Sequence, residues 1–154
     1  MPANFRKLLF IILFAALLHG CGSAPRFTSR TEKAHTTETN PPKENLDVYK
    51  NYPPLEIVYG TASFYADKYN GRITFNGEVY DMNGISAAHP SYKMNTIVRI
   101  TNLANNKSVI VRINDRMPFR EDRIIDLSLG TAKELDFVKE GLADIKLEVL
   151  KWGE

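Results

Sequence analysis

The chain has little cysteine and no excess charge of either sign, and each shortage excludes a class of protein. The single cysteine, Cys21, excludes intrachain disulfides, so packing must stabilise the fold. There are 20 Lys and Arg residues against 18 Asp and Glu, and two of the cations, Arg6 and Lys7, lie near the N-terminus. Without those two the charges balance, which leaves no concentrated positive charge for binding nucleic acid.

A long apolar run is also lacking near the N-terminus. The run at residues 8–18 has eleven residues and follows Arg6 and Lys7. A membrane-spanning helix needs about 20 apolar residues, so this run is too short to span a bilayer. A basic start followed by a short apolar run is typical of an export signal, and we predict a signal peptide at residues 1–20.

The sequence Leu18-His19-Gly20-Cys21 resembles a bacterial lipobox. The resemblance implies cleavage before Cys21 and attachment of lipid to its thiol, which would anchor the chain to a membrane. Gly22 is not the Asp that favours retention in the inner membrane, so the periplasmic side of the outer membrane is the expected location. The alternative is a free thiol beside a cleavage site.

The stretch that follows has few large apolar residues. Residues 21–56 are rich in Ser, Thr, Pro and charge, which cannot bury enough surface to offset the entropy of ordering. We predict a disordered tether here, with a reach on the order of 30 Å. The folded domain is expected at residues 57–151, and nothing in the sequence requires more than a monomer.

Most of the folded part has sequence patterns that are typical of β-strands. Alternating apolar and polar residues, many of them β-branched or aromatic, predict strands at residues 57–66, 96–103, 107–114, 124–127 and 145–150. The segment Ala104-Asn105-Asn106 suits a hairpin between the second and third of these strands, because asparagine tolerates the positive φ of a tight turn.

One helix is predicted among the strands. Ser128 is expected to cap a helix over residues 129–138, with Gly141 ending it, and a second helical turn is expected around residues 84–89. No alternating βαβ rhythm is present, which favours a compact β-barrel over an open parallel sheet.

Three blocks of sequence together resemble one family. They are GTASFY at 60–65, GRITFNGEVYDMN at 71–83 continuing to AAH at 87–89, and VRINDRMPF at 111–119 followed by RIIDLS at 123–128. Over residues 58–150 the chain is similar to the rare lipoprotein A family. The resemblance implies a mainly β fold, a six-stranded double-psi β-barrel with one or two short helices. It also implies a glycan groove and no metal or other cofactor.

The implied activity is that of an endolytic peptidoglycan lytic transglycosylase. Such an enzyme cleaves the bond between N-acetylmuramic acid and N-acetylglucosamine without water and leaves a 1,6-anhydromuramyl end. One alternative is a non-catalytic, expansin-like protein that binds peptidoglycan in the same groove. Another is a structural tether between the outer membrane and the cell wall.

Asp115 is the first candidate for the chemistry. Cleavage needs a proton donor for the leaving oxygen, and one carboxyl group can act first as acid and then as base. Asp115 ends an apolar strand and enters a loop containing Pro118, so part of its surroundings is expected to be dry. The alternative is an Asx-type turn. Arg116 is expected to orient Asp115 or a substrate oxygen, or else to form a surface salt bridge.

Glu78, Asp81 and His89 form the second catalytic group, because the resemblance places all three along the groove. Each also has a structural interpretation: a solvated turn for Glu78, a helix cap for Asp81 and a packing histidine for His89. No second His or Cys stands at ligand spacing, so a metal site is not expected. Asn83, in the same block, is a candidate substrate contact.

Aromatic residues are expected to supply a surface on which sugar rings stack. Six lie in or beside the three blocks: Phe64, Tyr65, Tyr69, Phe75, Tyr80 and Phe119. Tyr65 and Tyr80 alternate with neighbours expected to be buried, so we predict that these two line the wet face and bind substrate.

Overall fold

The computed structural model describes residues 44–65 and 67–154. The predicted signal peptide, Cys21 and most of the predicted tether lie outside these residues. The described part contains six strands: β1 (Glu56–Phe64), β2 (Ala87–Ala88), β3 (Ile97–Asn102), β4 (Ser108–Asp115), β5 (Ile125–Leu127) and β6 (Ala143–Lys151). It also contains one α-helix, α1 (Leu129–Glu134), and two 3-10 helices, Leu46–Tyr49 and Asp67–Tyr69.

The strands close into a barrel in the order β1, β5, β2, β4, β3, β6, with β6 pairing back onto β1. Two pairs are parallel, β1 with β5 and β2 with β4, and the others are antiparallel. The predicted mainly β fold with a six-stranded barrel is therefore confirmed.

Alternation along each strand fills the barrel with apolar side chains. In β4, Val111 and Ile113 are fully buried, whereas Arg112 between them projects outward. Complete burial of one Val, Leu or Ile side chain stabilises the folded state by about 1.5–3 kcal/mol. The fully buried aliphatic residues of β3, β5 and β6 complete the core: Val98, Ile100, Ile125, Leu127, Ile145, Leu147 and Val149.

The helix is shorter than predicted. Ser128 caps it as expected, accepting a hydrogen bond from the Thr131 backbone N–H, but α1 ends at Glu134 and not at residue 138. Two side-chain amides of the β3–β4 hairpin, from Asn102 and Asn105, each donate to the Leu135 carbonyl at 3.0 Å and so occupy the end of the helix.

The residues that follow the helix also differ from the prediction. Asp136 has a left-handed φ of 56°, so the chain turns there, whereas Gly141 lies in the next turn. Phe137 is consequently buried in the core, and Val138 is 38% exposed.

The helical turn predicted around residues 84–89 is wrong, because Ala87–Ala88 form strand β2. Ala87 and Ala88 pair with β4 on one side and β5 on the other. Their backbone groups are therefore used in the sheet and are not free for a helix.

The ordered domain begins before the predicted residue 57. Tyr49, in the first 3-10 helix, is 8% exposed and packs with Ile97 and Leu150. The Leu55 N–H donates to the Val149 carbonyl at 2.7 Å, which carries the chain into β1. Part of the segment assigned to the tether therefore contacts the barrel, through Leu46, Tyr49 and the Leu55 backbone. Among residues 44–65 and 67–154, no helix is long and apolar enough to cross a membrane.

Candidate functional site

Asp115 lies at the C-terminal end of β4, where its carboxylate is held by three donors. One oxygen, Oδ1, accepts hydrogen bonds from the backbone N–H groups of Phe75 (2.9 Å) and Arg116 (2.8 Å). The other, Oδ2, accepts from the Tyr65 hydroxyl at 3.1 Å. The side chain is half-buried. The carboxylate is therefore fixed by groups from three separate segments and still reaches the surface.

A second carboxylate lies in the same row of the barrel. Ser63, Asp126, Ala88 and Asp115 are successive register partners on β1, β5, β2 and β4. Adjacent strands are about 4.8 Å apart, so the α-carbons of the two aspartates are about 10 Å apart. Residues in register project to the same face of a sheet. Asp115 and Asp126 therefore belong to one site.

Asp126 was not among the predicted site residues. It is 8% exposed, accepts a hydrogen bond from the Ser63 hydroxyl and forms an ion pair with Arg123 at 2.7 Å. Burial opposes the charge of Arg123, but the charge of Asp126 and the hydrogen bond to it raise the pKa of Arg123 above its ordinary value. A charged residue between Ile125 and Leu127 in a buried strand was the sequence signal that could have identified it.

Both aspartates line an open cleft of about 420 Å³, which we call the main cleft. Its ionisable lining consists of two carboxylates and four cations, together with two tyrosines: Asp115, Asp126, Lys68, Arg116, Arg120, Arg123, Tyr65 and Tyr69. A cleft with paired carboxylates and cationic walls can exchange protons with a bound ligand and hold its polar groups.

A larger cleft, of about 670 Å³, lies beside the first 3-10 helix and contains none of the predicted site residues. Its two carboxylates are engaged in ion pairs, Glu44 with Arg112 at 3.8 Å and Asp47 with Lys50 at 2.9 Å. We therefore place the functional site at the main cleft.

The two predicted substrate-binding tyrosines have different environments. Tyr65 is half-buried, and burial together with the charge and hydrogen bond of Asp115 raises the pKa of its hydroxyl far above the ordinary value, so it stays protonated. Tyr80 is only 5% exposed, so the prediction that it lies on the wet face is wrong.

Tyr80 is buried because α1 packs over it. Burial raises the pKa of its hydroxyl, and the nearby Leu129 backbone N–H lowers it by less. That N–H lies close to the hydroxyl without the geometry of a hydrogen bond, so the hydroxyl has no hydrogen-bond partner among the described residues. The most exposed of the six aromatic candidates are Phe119, at 77%, and Phe75, at 66%.

Glu78 belongs to a structural ion pair on the outer face of β4. Its carboxylate accepts from the Arg112 guanidinium at 2.8 Å and from the Asn114 side-chain amide at 3.0 Å. Burial raises the pKa of Glu78, but the hydrogen bonds from Asn114 and Arg112 and the charge of Arg112 together lower it below the ordinary value. Glu78 is not among the residues that line the main cleft with Asp115.

Asp81 and Asn83 are exposed on a loop and do not line the main cleft. Asp81 Oδ1 accepts from the Asn83 backbone N–H at 2.9 Å, so Asp81 forms an Asx turn. The Asn83 side-chain oxygen lies 3.4 Å from Lys133 Nζ of α1. The loop is held against α1, and Gly130 has no room for a side chain there because a Cβ would lie 2.4 Å from the Asn83 carbonyl oxygen.

His89 organises the loop after β2. Its Nδ1 accepts hydrogen bonds from the backbone N–H groups of Ser91 (3.2 Å) and Tyr92 (3.0 Å), and its ring stacks on Tyr92 with centroids 3.7 Å apart. Burial and the charge of Arg116 lower the pKa of His89 to about 4, so it is neutral at pH 7. The His89 backbone N–H donates to the Asp115 carbonyl, which joins this loop to the end of β4.

Arg116 connects the same loop to Phe75. Its guanidinium donates to the carbonyl oxygens of His89, at 3.1 Å, and Tyr92, and its Cζ lies 5.4 Å from the Phe75 ring centroid. Only its backbone N–H contacts the Asp115 carboxylate. The expected contact between Arg116 and Asp115 is therefore present, but it is made by the backbone.

The structure thus gathers Asp115, Arg116 and Tyr65 at the main cleft, and it joins His89 to them through the backbone. Glu78, Asp81 and Asn83 are held in separate contacts. In the described ranges, no group of three His, Cys, Asp or Glu side chains is arranged to hold a metal ion.

Comparisons with known proteins agree with this fold. The family described as "Lytic transglycolase" matches residues 57–147. A Rickettsia bellii protein named "Endolytic peptidoglycan transglycosylase RlpA" is 34% identical over 97% of this chain and 75% of its own length. Proteins of the same name from Campylobacter jejuni and Pseudomonas aeruginosa are 48% and 53% identical over 64% of this chain. The chain spans only 36% and 30% of the length of those two relatives.

Two solved structures share the fold at low sequence identity. Streptomyces papain inhibitor superposes with a TM-score of 0.53 at 18% identity, over 66% of this chain and all of its own. An expansin from Clavibacter michiganensis superposes with a TM-score of 0.51 at 18% identity, over 64% of this chain and 52% of its own. The family match, the Rickettsia bellii relative and the barrel topology show that this chain belongs to the rare lipoprotein A family of double-psi β-barrel proteins.

Proposed function

We propose that this chain is an endolytic peptidoglycan lytic transglycosylase that cleaves between N-acetylmuramic acid and N-acetylglucosamine and leaves a 1,6-anhydromuramyl end. The observation that carries the proposal is the Asp115 carboxylate, fixed by three donors at the edge of the main cleft. Membership of the family and the names of the relatives support the substrate and the reaction.

In the proposed reaction Asp115 acts first as acid and then as base. The protonated carboxyl group gives its proton to the oxygen that bridges the two sugars, and the bond from that oxygen to C1 of the muramic acid breaks. The C6 hydroxyl of the same muramic acid attacks C1, and Asp115 accepts the proton that this hydroxyl releases. Asp115 thus regains the proton that it donated, and no water is consumed.

Tyr65 lets Asp115 hold its proton at the start of the cycle. Two of the three donors to Asp115 are backbone N–H groups and cannot reverse. The Tyr65 hydroxyl can rotate and accept a hydrogen bond from a protonated Oδ2. Asp126, paired with Arg123, places a second carboxylate in the same cleft.

The proposal predicts the chemical form of the products. Incubation of the purified chain with isolated sacculi is expected to release soluble muropeptides with 1,6-anhydromuramyl ends, because the C6 hydroxyl replaces water as the nucleophile. Mass spectrometry of the soluble fraction measures this, since the anhydro end is one water lighter than a reducing end. Reducing ends in place of anhydro ends would show hydrolysis and contradict the proposal.

A second candidate function is a non-catalytic, expansin-like protein that binds peptidoglycan. It is favoured by the shared fold of a mutant Clavibacter michiganensis expansin whose structure holds cellohexaose, with a TM-score of 0.51. A binding protein would sediment with sacculi and release no product, whereas the enzyme releases anhydro-ended fragments from them.

We also propose that lipid on Cys21 anchors the chain to a membrane, with the periplasmic side of the outer membrane favoured by Gly22. The lipobox-like sequence at residues 18–21 supports this. Cells fed a radiolabelled fatty acid are expected to label the wild-type chain and not Cys21→Ser, which should also move from the membrane to the soluble fraction. Equal labelling of the two chains would contradict the anchor.

A further inference from the structure

A pocket of about 200 Å³ opens beside Asp115, separate from the main cleft, and we call it the side pocket. Its wall combines aromatic and apolar groups with two charged residues and one threonine: Tyr65, Tyr69, Ile73, Tyr80, Arg72, Asp115 and Thr74. The two cavities share Tyr65, Tyr69 and Asp115, so a ligand bound at the carboxylate of the main cleft can place a substituent into the side pocket.

The wall of the side pocket is built by a hairpin and by packed rings. The Tyr80 N–H donates to the Arg72 carbonyl at 2.7 Å, and Ile73 pairs with Val79 one step further along the hairpin. The Tyr65 ring lies with its centroid 5.5 Å from that of Tyr69 and 5.3 Å from that of Tyr80. These contacts fix the shape of the pocket without a ligand, which favours binding because little has to be ordered.

The polar groups of the side pocket lie at two places. Asp115 and the Tyr65 oxygen provide acceptors on the side shared with the main cleft. The Arg72 guanidinium provides donors, with its Cζ 5.3 Å from the Tyr69 ring centroid. Within residues 44–65 and 67–154, no hydrogen bond or ion pair uses the guanidinium N–H groups of Arg72, so they are available to a ligand.

These features match one chemical group. An acetamido group has an N–H that needs an acceptor, a carbonyl oxygen that needs a donor, and a methyl group that prefers an apolar wall. It has four heavy atoms, and a space of this size would hold roughly six waters. Asp115, Arg72 and Ile73 supply the acceptor, the donor and the apolar contact respectively.

We propose that the side pocket binds the C2 acetamido group of an N-acetylated amino sugar and so selects N-acetylated glycans over plain hexose polymers. The proposal rests on the proposed function, because it assumes that the glycan lies in the main cleft next to Asp115. A hexose that carries a hydroxyl at C2 leaves the apolar wall and the Arg72 donors without partners. Such a hexose therefore forgoes both contacts and binds less tightly.

A matched pair of soluble glycans tests the proposal apart from catalysis. Chitohexaose and cellohexaose share a β-1,4-linked backbone and differ in having an acetamido group or a hydroxyl at C2. We expect calorimetry with the full chain to give a dissociation constant about tenfold lower for chitohexaose. Arg72→Met keeps the stem over Tyr69 and removes the donors, so the ratio should fall to within threefold.

Lys68→Met is the matched control for the arginine variant. Lys68 Nζ also lies 5.3 Å from the Tyr69 ring centroid, but Lys68 lines only the main cleft. Its replacement should affect the two hexaoses equally and leave their ratio unchanged. Equal dissociation constants of the two hexaoses for the wild-type chain would overturn the proposal, as would an Arg72→Met ratio equal to that of wild type.

Sacculi separate a failure of this inference from a failure of the proposed function. Wild-type release from native sacculi should exceed release from enzymatically de-N-acetylated sacculi by about tenfold. Equal release from both kinds of sacculi would support the proposed enzyme activity and overturn the proposal that the side pocket binds an acetamido group. If no product forms and neither hexaose binds, sedimentation decides: weaker sedimentation with de-N-acetylated sacculi supports the assignment, and equal sedimentation overturns it.

Discussion

Replacing Asp115 with asparagine is expected to reduce the release of anhydro-ended products from sacculi on the order of a hundredfold to ten-thousandfold. That range is the usual contribution of a general acid or base. The fold should survive, since the amide keeps one oxygen for the N–H groups of Phe75 and Arg116. The Tyr65 hydroxyl can turn to accept from the new NH2 group. Initial rates are measured by mass spectrometry, and the variant should still sediment with sacculi.

Asp136→Asn is the matched control for this substitution. Asp136 is exposed, pairs with Lys107 at 2.7 Å away from both cavities, and has a left-handed φ that asparagine also tolerates. Its replacement should leave release within twofold of wild type. Release by Asp115→Asn within threefold of wild type would remove Asp115 from the reaction. If Asp126→Asn lost activity in its place, proton transfer would be assigned to Asp126.

Stability should depend on pH through His89. Its pKa is about 4 in the folded chain, against about 6.5 when unfolded, so between these values the unfolded chain binds a proton that the folded chain does not. The free energy of unfolding should therefore fall by up to about 3 kcal/mol as pH is lowered from about 6.5 to about 4. Below pH 4 His89 should cause no further decrease. Urea titrations at several pH values measure it.

His89→Asn isolates this contribution from those of the carboxylates. An asparagine oxygen can accept from the Ser91 and Tyr92 N–H groups as Nδ1 does, but it does not titrate. The variant should be less stable than wild type at pH 7, because the stacking on Tyr92 is lost, and its stability should change less between pH 6.5 and 4. If the free energy of unfolding changed with pH equally in wild type and His89→Asn, the pH dependence would not come from His89.

The same variant tests whether His89 transfers protons or positions other groups. A positioning residue acts here through the backbone bond to Asp115 and through the loop that Arg116 holds. His89→Asn should then keep release within about tenfold of wild type, and the pH–rate profiles of the two chains should have the same shape. An inflection near pH 4 that is present in wild type and absent from the variant would make His89 a catalytic residue.

Local sequence was sufficient for the parts of the fold that are regular. Alternation located the long strands because each has one face in the core, as Val111 and Ile113 show in β4. Ser128 marked the helix start because capping depends on neighbours only three residues away. The end of the helix was missed, since it is set by Asn102 and Asn105 from another part of the chain.

The chain by itself also determined the family and the position of Asp115 at a strand end. It did not determine which side chains meet there, because residues 67–92 have little regular structure and their burial depends on distant segments. Tyr80 is buried under α1, Glu78 is neutralised by Arg112 of β4, and Asp126 enters the site through strand register. The row that joins Asp115 and Asp126 was decided by pairing between strands distant in sequence, since β5 pairs with β1 and β2, and β2 pairs with β4.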